Sequence, residues 1–156
     1  MKIACQILFV AVLAQAAIAQ SGNFKNITSF QKWSAFIDRN GTPFCWAATT
    51  PTKAPGFISR KLLVYVTHEG VFSIQDSGQE IAKRSTAILN ISGVQYPMFI
   101  SDNAVFLEDP GQDSAVIQAL ATARSAQVVF DKGRQVSFST RGFAEVFPRA
   151  VKACED

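Results

Sequence analysis

The stretch VSFSTRGFAEVFPRAVKAC, residues 136–154, decides how the rest of the chain is read. Val136 and Phe138 alternate with Ser137 and Ser139, the period-two pattern of a strand with one apolar face. Thr140-Arg141-Gly142 interrupts that pattern. Beyond it Phe143, Val146, Phe147, Ala150, Val151 and Cys154 recur at i, i+3, i+4 and i+7, a single stripe of a helix, while Arg141, Glu145, Arg149 and Lys152 fall off the stripe. The spacing predicts a strand that feeds an amphipathic helix, laid as a lid on a β core and ending on a cysteine. Pro148 sits inside this helix, where it removes a backbone donor. A kink at Phe147-Pro148, or a second short helix starting at Pro148, is therefore expected.

The other two cysteines are Cys5 and Cys45. Cys5 belongs to a segment with Met1-Lys2 at its head, the apolar run Ile7 to Ala14, and Ala17-Ile18-Ala19 before Gln20. A positive start, a short apolar run and a small-x-small site make a secretory signal over residues 1–19, cleaved between Ala19 and Gln20. The run is shorter than the ~20 residues that span a bilayer, and no later segment is long and apolar enough to do so. The mature domain is then 20–156, periplasmic or secreted, in a compartment that permits disulfides. It keeps only Cys45 and Cys154, which allow one intramolecular bond; two buried free thiols are the alternative.

Outward from the lid, short strands alternate with turn chemistry. Trp33, Ala35 and Ile37 form one face of a strand, Asp38 to Pro43 turn it, and Phe44 to Thr49 return. Lys61 to Thr67 is apolar on both faces, as a central strand would be, and His68-Glu69-Gly70 leads into Val71 to Gln75. Ser92-Gly93 is a two-residue hairpin loop between Thr86–Ile91 and Val94–Ile100. Pro97 places the second of these strands at an edge or a local irregularity. Ala104 to Leu107 is a further strand. Asp109 to Asp113 cap a helix over Ser114 to Arg124, with Val116, Ile117, Leu120 and Ala123 on one stripe. Gln127–Phe130 and Gln135–Ser139 flank the turn Asp131-Lys132-Gly133-Arg134. Gln20 to Asn26 reads as a flexible start. Eight or nine strands with two helices predict a mainly β domain, a β-sandwich with the last helix C-terminal.

Few residues suggest chemistry. The formal charge is +3, or +2 once Lys2 leaves with the signal (3 minus 1), and no lysine–arginine cluster marks a nucleic-acid footprint. His68 is the only histidine, so a hydrolase would have to use it with Glu69 or Asp113; the simpler reading is a polar turn residue. Glu108, Asp109 and Asp113 suit helix capping better than a cation. With neither CxxC nor clustered histidines, no metal or cofactor is expected. Trp46, beside Cys45, is expected to pack in the core against the disulfide. Asn26-Ile27-Thr28, Asn40-Gly41-Thr42 and Asn90-Ile91-Ser92 match the glycosylation sequon.

Trp33, then Phe44-Cys45-Trp46-Ala47-Ala48-Thr49-Thr50-Pro51, Arg60-Lys61, Tyr65-Val66-Thr67-His68, the strand Asp102 to Leu107, the helix Val116 to Leu120, Val128-Val129, and Phe138-Ser139-Thr140-Arg141-Gly142-Phe143 before Cys154 together resemble the invasion-associated locus B family of exported alphaproteobacterial proteins. The likeness runs over nearly all of the mature chain. It departs from the family pattern at Ala104-Val105, where an Ala-Trp pair would be expected. The resemblance implies an immunoglobulin-like sandwich, export, a Cys45–Cys154 disulfide and no catalytic residues. The expected function is that of an exported, non-enzymatic binding or envelope-interaction module, monomeric and without cofactor. Its partner would be a protein or glycan of the bacterial envelope or of a host surface. The alternatives are a host-cell invasion factor at the bacterial surface and, further off, the hydrolase using His68.

Overall fold

The computed structural model describes residues 24–156; the expected signal segment 1–19 and the cleavage position at Ala19 and Gln20 lie outside the described residues. Among the described residues ten strands form: β1 (Phe24–Phe30), β2 (Trp33–Asp38), β3 (Phe44–Thr49), β4 (Leu62–Thr67), β5 (Phe72–Asp76), β6 (Ala87–Ile91), β7 (Val94–Ser101), β8 (Ala104–Leu107), β9 (Ser125–Phe130) and β10 (Gln135–Ser139). The helices are α1 (Asp113–Thr122) and α2 (Phe143–Glu155). The domain is mainly β, with two helices and the last one C-terminal, as the strand and helix patterns predict. The strand missing from the sequence reading is β1. Its exposed, mostly polar residues hide the fact that it pairs antiparallel with β2 from Phe24↔Asp38 to Phe30↔Trp33.

All ten strands belong to one antiparallel sheet in the order β1-β2-β3-β4-β5-β8-β7-β6-β9-β10. The run β9-β6-β7-β8 is a Greek key, with α1 in the long connection from β8 to β9. The two layers expected of a sandwich are thus parts of one sheet folded over a single core. Phe72 of β5 stacks on Phe138 of β10 across that core, ring centroids 6.0 Å apart. The β3–β4 loop closes the fold: Thr52 and Lys53 donate to the carbonyl of Ser137, and Ser137 donates back to Lys53.

The stripe on α2 does what its spacing predicts. Phe143, Val146 and Ala150 are buried, Phe147, Val151 and Cys154 are half-buried, and Arg149 and Lys152 are exposed. The helix packs on β1, β2 and β3, and Phe143 meets Trp33 edge-on at 4.9 Å. Each fully buried Phe or Val side chain here stabilises the fold by about 1.5–3 kcal/mol. Pro148 lies within one 13-residue helix rather than starting a second. Pro148 and Ala144 are both exposed, so the carbonyl of Ala144, deprived of its usual donor, can be satisfied by water. The structure bonds Cys45 to Cys154, Cα atoms 5.9 Å apart, and so tethers the end of α2 to β3.

Pro97 is not at an edge. Its strand β7 lies between β8 and β6. Its carbonyl accepts from Glu108 N–H at 3.0 Å, and in an antiparallel pair the N–H and C=O of one residue point to the same neighbour. The missing donor therefore faces Glu108, just where β8 has ended at Leu107, and the register of β6 with this strand runs unbroken from Ala87↔Met98 to Ile91↔Val94.

A buried carboxylate fixes the turn after β5. Asp76 is 1 % exposed and accepts from the backbone N–H groups of Gly78 at 2.7 Å, Glu80 at 2.6 Å and Ile81 at 3.1 Å. Bonds to a charged acceptor contribute about 1.5–3 kcal/mol each, and removing the acceptor strands buried donors. Asp76→Ala is expected to cost about 3 kcal/mol or more in urea unfolding and Asp76→Asn roughly half as much. Equal, near-zero effects would show that this carboxylate does not hold the turn.

Candidate binding surface

Strand alternation sends one set of side chains into the core and the other out. On β2 the inward set is Trp33, Ala35 and Ile37; on β3 it includes Cys45 and Ala47; on β4 it is Leu62, Val64 and Val66. The outward positions on the same strands also carry apolar residues: Phe36 on β2, between Ser34 and Asp38, Phe44 and Trp46 on β3, Leu63 and Tyr65 on β4. Register brings them side by side, since Phe36 pairs with Trp46, Asp38 with Phe44 and Ala48 with Tyr65. Phe24 of the edge strand β1 completes the group, edge-on to Phe36 at 5.7 Å and to Trp46 at 5.8 Å. Phe36 stacks on Trp46 at 5.6 Å, and Phe44 lies 5.7 Å from Trp46 on its other flank.

These rings are not sealed from water. Phe24 remains 53 % exposed, Phe44 42 % and Leu63 37 %. A groove of about 230 Å³ is lined by Phe44 and Trp46 of β3, Leu63 and Tyr65 of β4, and Gln75 of β5. Gln75 Nε2 donates to the Tyr65 hydroxyl at 2.7 Å, so the polar side-chain groups on the groove are held in fixed places. The surface can bind a partner by burying aromatic area and orient it through one amide and one phenol; aromatic anchors with a few placed polar groups are what recognition sites use.

The residues singled out by sequence separate. Cys45 and Cys154 are joined. Trp46 is not packed on that bond: neighbours along a strand point to opposite faces, so Cys45 is buried while Trp46 stands half-buried among the outer rings. Trp33 is the core tryptophan, its Nε1 donating to Ser139 O at 2.8 Å. His68 is half-buried, its Nδ1 within 3.2 Å of Cys45 O and 3.4 Å of Cys45 N, and its ring edge-on to Phe44 at 5.7 Å. Among the described residues no carboxylate bonds to it, so neither Glu69 nor Asp113 forms a pair with His68. Asp109 caps the short 3-10 turn Pro110–Gln112, accepting from Gly111 N–H at 2.9 Å, while Asp113 stands in the first turn of α1, whose N-terminus carries no side-chain cap. Burial, and then the charge of Asp109, push the Asp113 carboxyl above its usual range. Among the described residues no three His, Cys, Asp or Glu side chains gather closely enough to hold a metal ion, and no helix is long and apolar enough to cross a membrane.

The sequence carried one signal for the aromatic face. Opposite the core, β3 carries Phe44 and Trp46, β4 Leu63 and Tyr65, and β2 Phe36 between Ser34 and Asp38, more apolar surface than a solvated face requires. The rings of β1, β2 and β3 could be joined into one surface only with the register in hand. No family model, curated protein or solved structure matches the chain.

Proposed function

We propose that this protein is an exported, non-enzymatic binding module of the bacterial envelope, in line with its resemblance to the invasion-associated locus B family, and that it engages its partner through the outer face of β1–β4. The observation that carries this reading is the group of half-exposed rings around Trp46. Exposed Phe24, Phe44 and Leu63 add nothing to the core, and contiguous apolar surface of this kind marks interaction sites. The Cys45–Cys154 bond supports export, because such bonds persist in oxidising compartments. The engagement of His68 with the Cys45 backbone supports a binding role over hydrolysis.

A photo-cross-linking residue in place of Leu63, on the groove wall, tests the reading in the native cells. A control probe replaces Ile88 of β6, which is similarly exposed at 38 % but lies away from the rings. The Leu63 probe is expected to give a discrete adduct with one envelope protein or glycan, abolished by Trp46→Ser, and the Ile88 probe none. Equal labelling from both positions, or none from either, removes this face as the binding surface. An adduct obtained only from host-cell membranes would make invasion the function.

A further inference from the structure

The sequence shows no cluster of basic residues, yet the fold makes one. Lys32 lies in the β1–β2 turn, Arg124 precedes β9, and Arg141 links β10 to α2. Four segments are pinned together here by hydrogen bonds. Lys32 N–H donates to Arg141 O at 3.4 Å, Thr49 Oγ1 to Lys32 O at 2.6 Å, Thr140 N–H to Arg124 O at 3.2 Å, and Thr140 Oγ1 to Ala123 O. The result is a surface hollow of about 490 Å³ lined by all three cations together with Gln31, Thr52, Ser125 and Ser139. A second hollow shares Gln31, Arg124 and Arg141 and reaches the start of α2.

The charges in this place are uncompensated. Lys32, Arg124 and Arg141 are all exposed, and the only ion pairs among the described residues are the two on Glu80. Among the described residues Glu145 is the only carboxylate lining either hollow, and it pairs with none of the three. Three like charges held around one depression repel each other, and an anion relieves that repulsion while accepting from their N–H donors; guanidinium groups match carboxylate and sulfate oxygens in pairs. The hydroxyls and amide around them suit a ligand that also carries many hydroxyls. That polar lining continues from Ser125 into a neighbouring hollow bordered by Asn90, Ser92, Gln127 and Ser137, along the outer face of β9 and β6. Among the described residues no aromatic side chain lines any of these hollows, which leaves them without a platform for stacking nucleobases or an apolar wedge for a lipid surface.

We infer that this groove is a binding site for an acidic oligosaccharide, whose carboxylate or sulfate groups sit among Lys32, Arg124 and Arg141 and whose hydroxyls run along β9. The site lies apart from the aromatic face and does not depend on it.

The test is titration of the purified protein at an ionic strength of about 0.15 M, where exposed charges more than about 8 Å away are screened, with hexagalacturonate and with a heparin hexasaccharide, beside cellohexaose and a twelve-residue oligo-dC. Binding of one or both acidic sugars is expected, carboxylate or sulfate being distinguished by which one binds, with cellohexaose and the oligonucleotide at least about tenfold weaker. The combined variant Lys32→Ala/Arg124→Ala/Arg141→Ala should weaken the acidic sugar by about tenfold or more, since a single charge-assisted hydrogen bond contributes about that factor. Lys61→Ala/Lys132→Ala/Lys152→Ala, the same charge change elsewhere, should alter it less than about twofold, because exposed charges act only through screened attraction. Equal weakening in the two triple variants, binding of oligo-dC or cellohexaose as tight as the acidic sugars, or no binding of either acidic sugar would each overturn the assignment. If the triple variant fails to fold by circular dichroism, Arg124→Gln alone against Lys132→Gln decides by the same comparison.

Discussion

Cys154→Ser is expected to lower the stability of the oxidised protein by about 2–5 kcal/mol, a fall in melting temperature of roughly 6–20 °C for a domain of this size. The bond joins residues 109 apart in sequence, and closing so long a loop removes enough freedom from the unfolded chain to account for roughly 4–5 kcal/mol. What remains without it also matters. Phe143, Val146 and Ala150 stay buried against the sheet, so α2 should keep its place at low temperature and the variant should fold. Adding reductant should bring the wild-type protein down to the variant's melting temperature and leave the variant unchanged. A wild-type melting temperature insensitive to reductant would mean that the end of α2 is held by packing alone.

Gly142→Ala should be nearly as damaging, although it adds one methyl group. Gly142 begins α2 with φ at 96°, a left-handed conformation that costs an L-residue about 1–2 kcal/mol. A Cβ at this position would also run into the carbonyl of Phe30 and the Cβ of Gln31. That obstacle is backbone of β1 and cannot swing aside, so relief requires α2 and the edge strand to part. The expected destabilisation is about 3 kcal/mol or more. Gly93→Ala supplies the comparison: Gly93 has φ at 86° with nothing within 4 Å of its added Cβ, so it should show only the conformational cost. Urea unfolding of the two variants separates the conformational from the steric effect. Equal destabilisation would remove the close approach of β1 to α2 as a source of the difference.

How much of this was legible before the fold was known differs from element to element. The β6–β7 hairpin was, because Ser92 and Gly93 adopt the positive φ values that a two-residue turn demands, 52° and 86°, and Asn90 Oδ1 receives the Gly93 N–H. So was the face of α2, whose stripe has a period set by the helix itself. β1 was missed for a reason of energetics: an exposed edge strand is held by backbone bonds to β2 and by one side of α2, and neither leaves an apolar pattern in seven mostly polar residues. Pro97 was placed at an edge or a local irregularity because a proline removes a donor; which neighbour goes without it depends on where β8 stops. Trp46 was assigned to the disulfide by adjacency in sequence, while adjacency on a strand means opposite faces.

The same division holds for the two surfaces. By itself the sequence determined the mainly β class, the amphipathic closing helix and the pair of cysteines available to tether it, because these rest on local periodicity and on a count of residues. The aromatic face and the basic groove were decided only by tertiary structure. Phe24, Phe36, Trp46 and Tyr65 become neighbours through strand register, and Lys32, Arg124 and Arg141 through the meeting of a turn, a helix end and a strand end. The proximity of residues so far apart in the chain depends on how the sheet folds over its core, and no local pattern carries that information.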